Sequence, residues 1–180
     1  MKTDGKLMDM LTGYAASHQH PVNIFVHMIG IPTIMLGVLI PLSWISIDVR
    51  GVSFSLAHLV VFGFFLFYLT LDVLFAIVFL IFGFGLTIVA SMIADLPLGT
   101  SAAVAAVLFF GGYAAQFIGH AIEKSMPVLV KHPVQANLAA PFFTVVERFK
   151  LLGLRDELFN EVQRRIEQER DNQPVEVPAA

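Results

Sequence analysis

Four apolar runs, separated by short polar or Pro- and Gly-containing stretches, set the plan of this chain. They cover about Pro21–Leu42, Ser55–Leu71, Val73–Ala94 and Thr100–Ile122. Each has about the 17–25 mainly apolar residues that a helix needs to cross a bilayer. The second and third are separated only by a tight turn near Thr70-Leu71-Asp72, so their boundaries are loose. Trp44–Ser53 reads as a loop with an interfacial Trp, and Asp95–Gly99 as a turn punctuated by Pro and Gly. After Glu123 the pattern changes. Met126–Phe143 carries three prolines and reads as an interfacial or partly re-entrant segment. From Thr144 to Gln168 the residues Val145, Phe149, Leu152, Leu158, Val162 and Ile166 recur near the helical period, with Gly153 as a break point. Arg and Glu alternate on the opposite side, which fits an amphipathic helix on the membrane face or packed under the bundle. The expected fold is all-α: a polytopic membrane protein with about four transmembrane helices plus a C-terminal amphipathic helix. Residues 1–170 form one embedded domain, and 171–180 are expected to be a disordered tail.

Composition agrees. The hydrophobic fraction is 57% and only 14% of residues are charged, where about 25% is usual in soluble chains. Mean hydropathy is +0.77. A chain of this length cannot hide so many apolar side chains in one water-surrounded core. A net charge of −3 excludes a basic nucleic-acid binder, and the absence of cysteine excludes thiolate-held metals and thiol nucleophiles. Of 11 Lys and Arg, two lie near the start and eight at or beyond Lys124, leaving only Arg50 between. That bias places both termini in the cytoplasm, as an even number of spans requires.

Any metal must then be held by imidazole and carboxylate. The chain opens its first span with His18-Gln19-His20-Pro21-Val22-Asn23-Ile24-Phe25-Val26-His27. Pro21 suits the first helical position. Asn23 and His27, four apart, share a face. A histidine two turns inside an apolar span is a functional candidate by default. At the end of the fourth span Gln116, His120 and Glu123 fall on one stripe, so Glu123 either joins His120 on an ion or orients it. Gly111, Gly112 and Gly119 would admit a neighbouring helix closely. With both termini on one side, the first span begins where the fourth ends, so His18, His20 and His27 lie at the depth of His120 and Glu123. His58 reads as interfacial. His132 is a further lining candidate. Tyr14 is either a belt aromatic or a donor facing the site, and Glu147 either caps the last helix or faces the site. Non-haem Fe(II) and zinc both suit such ligands. A zinc-dependent lipid hydrolase and a non-enzymatic haem-binding or scaffold bundle therefore stay open beside iron oxidation chemistry.

Three blocks carry a family resemblance. They are Tyr14-x3-His18-x2-Pro21-x-Asn23-x3-His27-x2-Gly30-Ile31-Pro32, then Gln116-x2-Gly119-His120-x2-Glu123-Lys124-x2-Pro127, then Ala140-Pro141-Phe142-Phe143 with Glu147 following. Over roughly Leu7–Phe149 the chain resembles the membrane-embedded 2-hydroxy fatty acid dioxygenases typified by the fungal protein of phytosphingosine degradation. That resemblance implies an Fe(II)-dependent α-oxidation, in which a 2-hydroxy fatty acid and O2 give a fatty acid one carbon shorter. It implies His18, His27 and His120 as metal ligands, with Glu123 a further ligand or an acceptor beside them. Gln116 and Asn23 would hydrogen-bond the ligand histidines or the substrate, and Lys124, Lys131 and Tyr14 would lie on the substrate side. The implied location is an integral multi-pass protein of the inner membrane in a bacterium, or of the endoplasmic reticulum in a eukaryote.

Overall fold

The structure, a computed structural model, describes residues 4–16, 18–131 and 133–171. His132 and the expected tail from residue 172 onward lie outside the described residues, as does the side chain of Lys131. Among the described residues eight helices follow one another. They are α1 (Asp4–Ala15), α2 (Pro21–Ser43), α3 (Leu56–Leu69), α4 (Val73–Ala94), α5 (Leu98–Glu123), α6 (Val128–Lys131), α7 (Pro133–Leu151) and α8 (Asp156–Asp171). The fold is the expected all-α membrane type. Three helices, α2, α4 and α5, are long and apolar enough to cross a membrane. The remaining apolar helix, α3, has 14 residues. At 1.5 Å per residue it is about 21 Å long, shorter than a hydrocarbon core of about 30 Å.

The helix ends are built from local signals. Pro21 opens α2, with His20 as its N-cap: the His20 Nδ1 accepts the Val22 amide at 3.2 Å. Asp72 caps α4 by accepting the Phe75 amide at 3.0 Å. Asp72 also pairs with Arg155, just before α8, at 2.6 Å. The Arg155 guanidinium lies 4.7 Å above the Phe75 ring, so the last helix is pinned to the head of α4.

Two segments depart from the pattern-based expectation. The stretch expected as a loop contains an antiparallel hairpin, β1 (Ser46–Val49) and β2 (Val52–Ser55), paired Ile47 with Phe54 and Val49 with Val52. Arg50 and Gly51 both take positive φ (53° and 82°), the two-residue turn that matches strand twist. The helix expected from Thr144 begins at Pro133 instead, within the segment expected to be interfacial or partly re-entrant, and the short α6 precedes it. Pro141 is accommodated inside α7, and the run Pro141–Glu147 is buried. The break falls at Gly153 as expected, with positive φ there and at Arg155. Leu152, counted on the apolar stripe, is instead 71% exposed at that break.

The bundle is held by two kinds of contact. Along α2 and α5 the backbones approach closely. A Cβ on Gly37 would stand 2.7 Å from the Phe109 amide nitrogen and 2.9 Å from the Ala105 carbonyl oxygen. Gly112 likewise faces Ile34, and Gly119 faces Asn23. Gly111, expected to share this role, meets nothing within 4 Å. Elsewhere large side chains fill the core, among them Tyr68, Phe75, Phe79 and Phe142. The Tyr68 hydroxyl donates to the Leu138 carbonyl at 2.8 Å and so ties α3 to α7. Phe25, Ile29, Leu59, Ile81, Val107 and Phe110 point outward and are exposed, as lipid-facing positions would be. Helix α1, not anticipated from the pattern, buries Leu7, Met8 and Leu11 against the core, and α8 packs on it through Val162.

Candidate metal centre

The start of α2 and the end of α5 lie at the same end of the bundle, and three imidazoles meet there. Ring centroids are 4.4 Å apart for His18 and His27, and 4.9 Å for His18–His120 and His27–His120. All three residues are buried, and one nitrogen from each lies within 4.8 Å of the other two. His18 sits just ahead of α2, His27 two turns within it and His120 in the last turn of α5.

Each ring is held by its other nitrogen. His18 Nδ1 lies 2.8 Å from the Tyr14 carbonyl oxygen, and His27 Nδ1 lies 3.0 Å from that of Asn23. A carbonyl only accepts, so both Nδ1 atoms carry the proton and both Nε2 atoms present a lone pair. His120 Nδ1 makes a 2.9 Å hydrogen bond with the Ser125 hydroxyl. The Tyr14 ring stacks on His18 at 4.2 Å and 2° and fixes its plane. His18 Nε2 is buried with no hydrogen-bond partner among the described residues. Burial above all, then the neighbouring His27, lowers the His18 pKa to about 3 against the bond to Tyr14, so the ring stays neutral. A buried, unpaired lone pair on a neutral imidazole asks for an explanation. Among three convergent imidazoles a metal ion supplies one, since ligating histidines ordinarily donate their second nitrogen to a carbonyl or hydroxyl.

Glu123 is not turned to His120. Its Oε1 accepts the backbone amides of Gln19 (2.6 Å) and His20 (3.0 Å), and its Oε2 accepts the Asn23 side-chain amide. The carboxylate thus satisfies amides at the head of α2, where the helix dipole favours an anion. Asn23, expected to bond a histidine or the substrate, does the first with its backbone carbonyl and spends its side chain on Glu123.

Above the three rings lies a cavity of about 410 Å³, walled by α2, α3, α5 and α7 with Phe79 of α4. Gln116 and Tyr14 line it beside the histidines. Lys124 does not: it is exposed at the left-handed C-cap of α5, φ 58°. Glu147 faces a smaller cavity of about 180 Å³ among α1, α7 and α8, and burial holds its carboxyl above the usual range. His20 is exposed as a cap, and His58 closes a capping box with Ser55 at the start of α3, near the hairpin.

Three residues at the site went unanticipated. Ser125 holds His120 from five positions on. Tyr113 and Asn137, bonded at 3.2 Å, bridge α5 to α7 at the cavity wall. Tyr113 was recoverable, because it continues the Gln116–His120 stripe one turn back. Asn137 was hidden by the misread start of α7.

Comparison with known proteins agrees with this geometry. The family model described as 2-hydroxy-palmitic acid dioxygenase Mpo1-like matches residues 5–150. The 2-hydroxy-palmitic acid dioxygenase MPO1 of Saccharomyces cerevisiae is 28% identical over 155 residues, covering 84% of each chain. No solved structure matches. The matched segment runs from α1 into α7 and contains all three buried histidines, and on that ground the chain belongs to the Mpo1-like family.

Proposed function

We propose that the protein is a membrane-embedded dioxygenase that shortens 2-hydroxy fatty acids by one carbon, with His18, His27 and His120 holding its metal through Nε2. The observation that carries this reading is the unpaired, buried Nε2 of His18 at the polar end of an otherwise apolar cavity. The family membership and the name of the yeast relative support the substrate class. Iron(II) is the preferred ion, since it would supply O2 chemistry, whereas zinc has no redox chemistry. In the overall balance, a 2-hydroxy acid and one O2 give the acid one carbon shorter, carbon dioxide and water.

The chain's own part is binding and exclusion. The buried carbonyls of Tyr14 and Asn23 hold two rings in the ligating tautomer. Ser125 orients the third. Gln116, half-buried in the cavity wall, offers an amide for the hydroxyl or carboxylate of the substrate. The apolar wall takes the acyl chain and keeps water from the reacting end. A position on this membrane-facing bundle gives the acid a route from the lipid phase.

The test is anaerobic purification, metal analysis, and product analysis with 2-hydroxypalmitate and O2. Stoichiometric iron and the acid one carbon shorter are expected. Replacing His18, His27 or His120 by Ala should each remove iron and product while the protein still inserts, and His58→Ala should keep both. Zinc in place of iron with no O2 uptake would overturn the reading, as would an equal loss in His58→Ala.

A further inference from the structure

The cavity has a length as well as a volume. On α2 its wall runs from His27 through Ile31, Met35 and Val38 to Leu39. The twelve steps from His27 to Leu39 rise about 18 Å. On α5 the wall runs back from His120 to Phe109, about 16 Å. The two helices are antiparallel, so both stretches lead away from the histidines toward the hairpin end. Among the described residues, polar lining beyond the histidines is confined to Tyr14, Gln116, Tyr113 and Asn137, and the far end is wholly apolar.

Two buried side chains stand at that far end. Leu39 is the last lining residue of α2 and is 3% exposed. Helix α3 begins at Leu56, directly after the hairpin, so Val61 in its second turn lies at the same depth, 1% exposed. Val61 cannot withdraw from the cavity. The backbone of α4 stands behind it at Gly83, where even a Cβ would come within 2.7 Å of its Cγ1.

Resting on the fatty-acid assignment above, the geometry points to Leu39 and Val61 as an acyl-chain stop that sets the longest straight chain the site accepts with its carboxylate at the histidines. An extended acyl chain advances about 1.25 Å per carbon–carbon bond, so about 18 Å accommodates on the order of fourteen such bonds. Shorter acids leave the far end unfilled. Longer ones must bend or pull the carboxylate away from the rings.

The test uses the full-length protein purified anaerobically with its metal, in lipid nanodiscs and without O2. Saturated straight-chain acids from decanoic to docosanoic displace a fluorescent acyl probe, and each affinity is expressed as the ratio of variant to wild type. Partition into lipid is common to both proteins and cancels. Leu39→Ala should bind acids longer than hexadecanoic about tenfold better than wild type, the worth of one to two buried methylenes, and leave dodecanoic unchanged. Val61→Phe should weaken hexadecanoic about tenfold and spare dodecanoic. Leu59→Ala, lipid-facing on the same helix, should leave every ratio near unity. Leu39→Ala decides the matter if Val61→Phe does not fold. Ratios that do not vary with chain length overturn the stop, as does a probe that no acid displaces. Length-dependent ratios with no oxidation of 2-hydroxy acids would keep the stop and overturn the reaction. Oxidation with flat ratios would do the reverse.

Discussion

In the proposed metal centre Glu123 braces the ligand helices rather than the ion. Its carboxylate joins the end of α5 to the head of α2, and Asn23, which it holds by the side chain, in turn holds His27 by the backbone carbonyl. In Glu123→Gln one oxygen can still accept the Gln19 and His20 amides, but the new NH2 group meets the Asn23 NH2 donor to donor unless the Asn23 amide turns its oxygen, which has no partner among the described residues, toward it. The expected result is retained folding, a loss of about 1–2 kcal/mol in stability and a 10- to 100-fold fall in metal affinity. Titration of the variant with iron(II), beside a thermal melt, measures both. Complete loss of metal from a folded Glu123→Gln protein would show that the carboxylate is itself a ligand. At this scale the sequence was informative about who takes part and less so about how. The stripe of Gln116, His120 and Glu123 is plain in the residue numbers. The direction in which Glu123 turns depends on the backbone amides of a segment a hundred residues earlier, and periodicity says nothing of those.

Among the elements, α2 and α5 form the pair on which the centre depends, because they carry His27 and His120. Their closeness is set by glycines whose missing side chains leave room for the partner's backbone. Gly37→Ala would drive a methyl against the Phe109 amide and the Ala105 carbonyl, backbone atoms that cannot rotate away. A cost of about 1–3 kcal/mol is expected, read as a lower melting temperature in detergent together with weakened metal binding as the helices part. Gly111→Ala, on the same helix with open space around it, should be neutral or gain up to about 1 kcal/mol from helix propensity. Equal destabilisation by both changes would mean that the close approach is not what matters. Element boundaries were legible where apolar runs end abruptly: Val73–Ala94 is observed as expected, and Pro21 opens α2. They were illegible where proline suggested irregularity. Pro133 instead starts a helix, and Pro141 sits inside it where tertiary packing outweighs the lost amide. The hairpin has a readable signal, the alternation in Ser46–Val49 and Val52–Ser55 around Arg50-Gly51, but it is short and sits between two much longer apolar runs.

For the whole molecule, the convergence of His18 and His27 with His120 could be anticipated from the count of four apolar spans together with the charge bias. Basic residues at both ends imply an even number of crossings, and an even number returns the end of the fourth apolar helix to the level at which the first begins. The juxtaposition of the three rings follows from the antiparallel run of four apolar helices, of which α2, α4 and α5 are long enough to cross a membrane. Which side of the membrane they face is a separate matter that the Lys and Arg bias addresses. Seven of the eight late basic residues lie in α6, α7, α8 and the turn between the last two, at the histidine end. That end is therefore expected in the cytoplasm, with the hairpin on the opposite surface. The chain has no cysteine, so single introduced thiols report without background. Asp48→Cys in the exposed hairpin should react with a membrane-impermeant maleimide added to intact cells or sealed right-side-out vesicles. Gln168→Cys on the exposed face of α8 should react only after the membrane is opened. Labelling of both thiols from the same side would break the four-crossing parity. Labelling of Gln168→Cys alone from outside would keep the parity and invert the protein, placing the histidine end and the mouth of its cavity on the outer face.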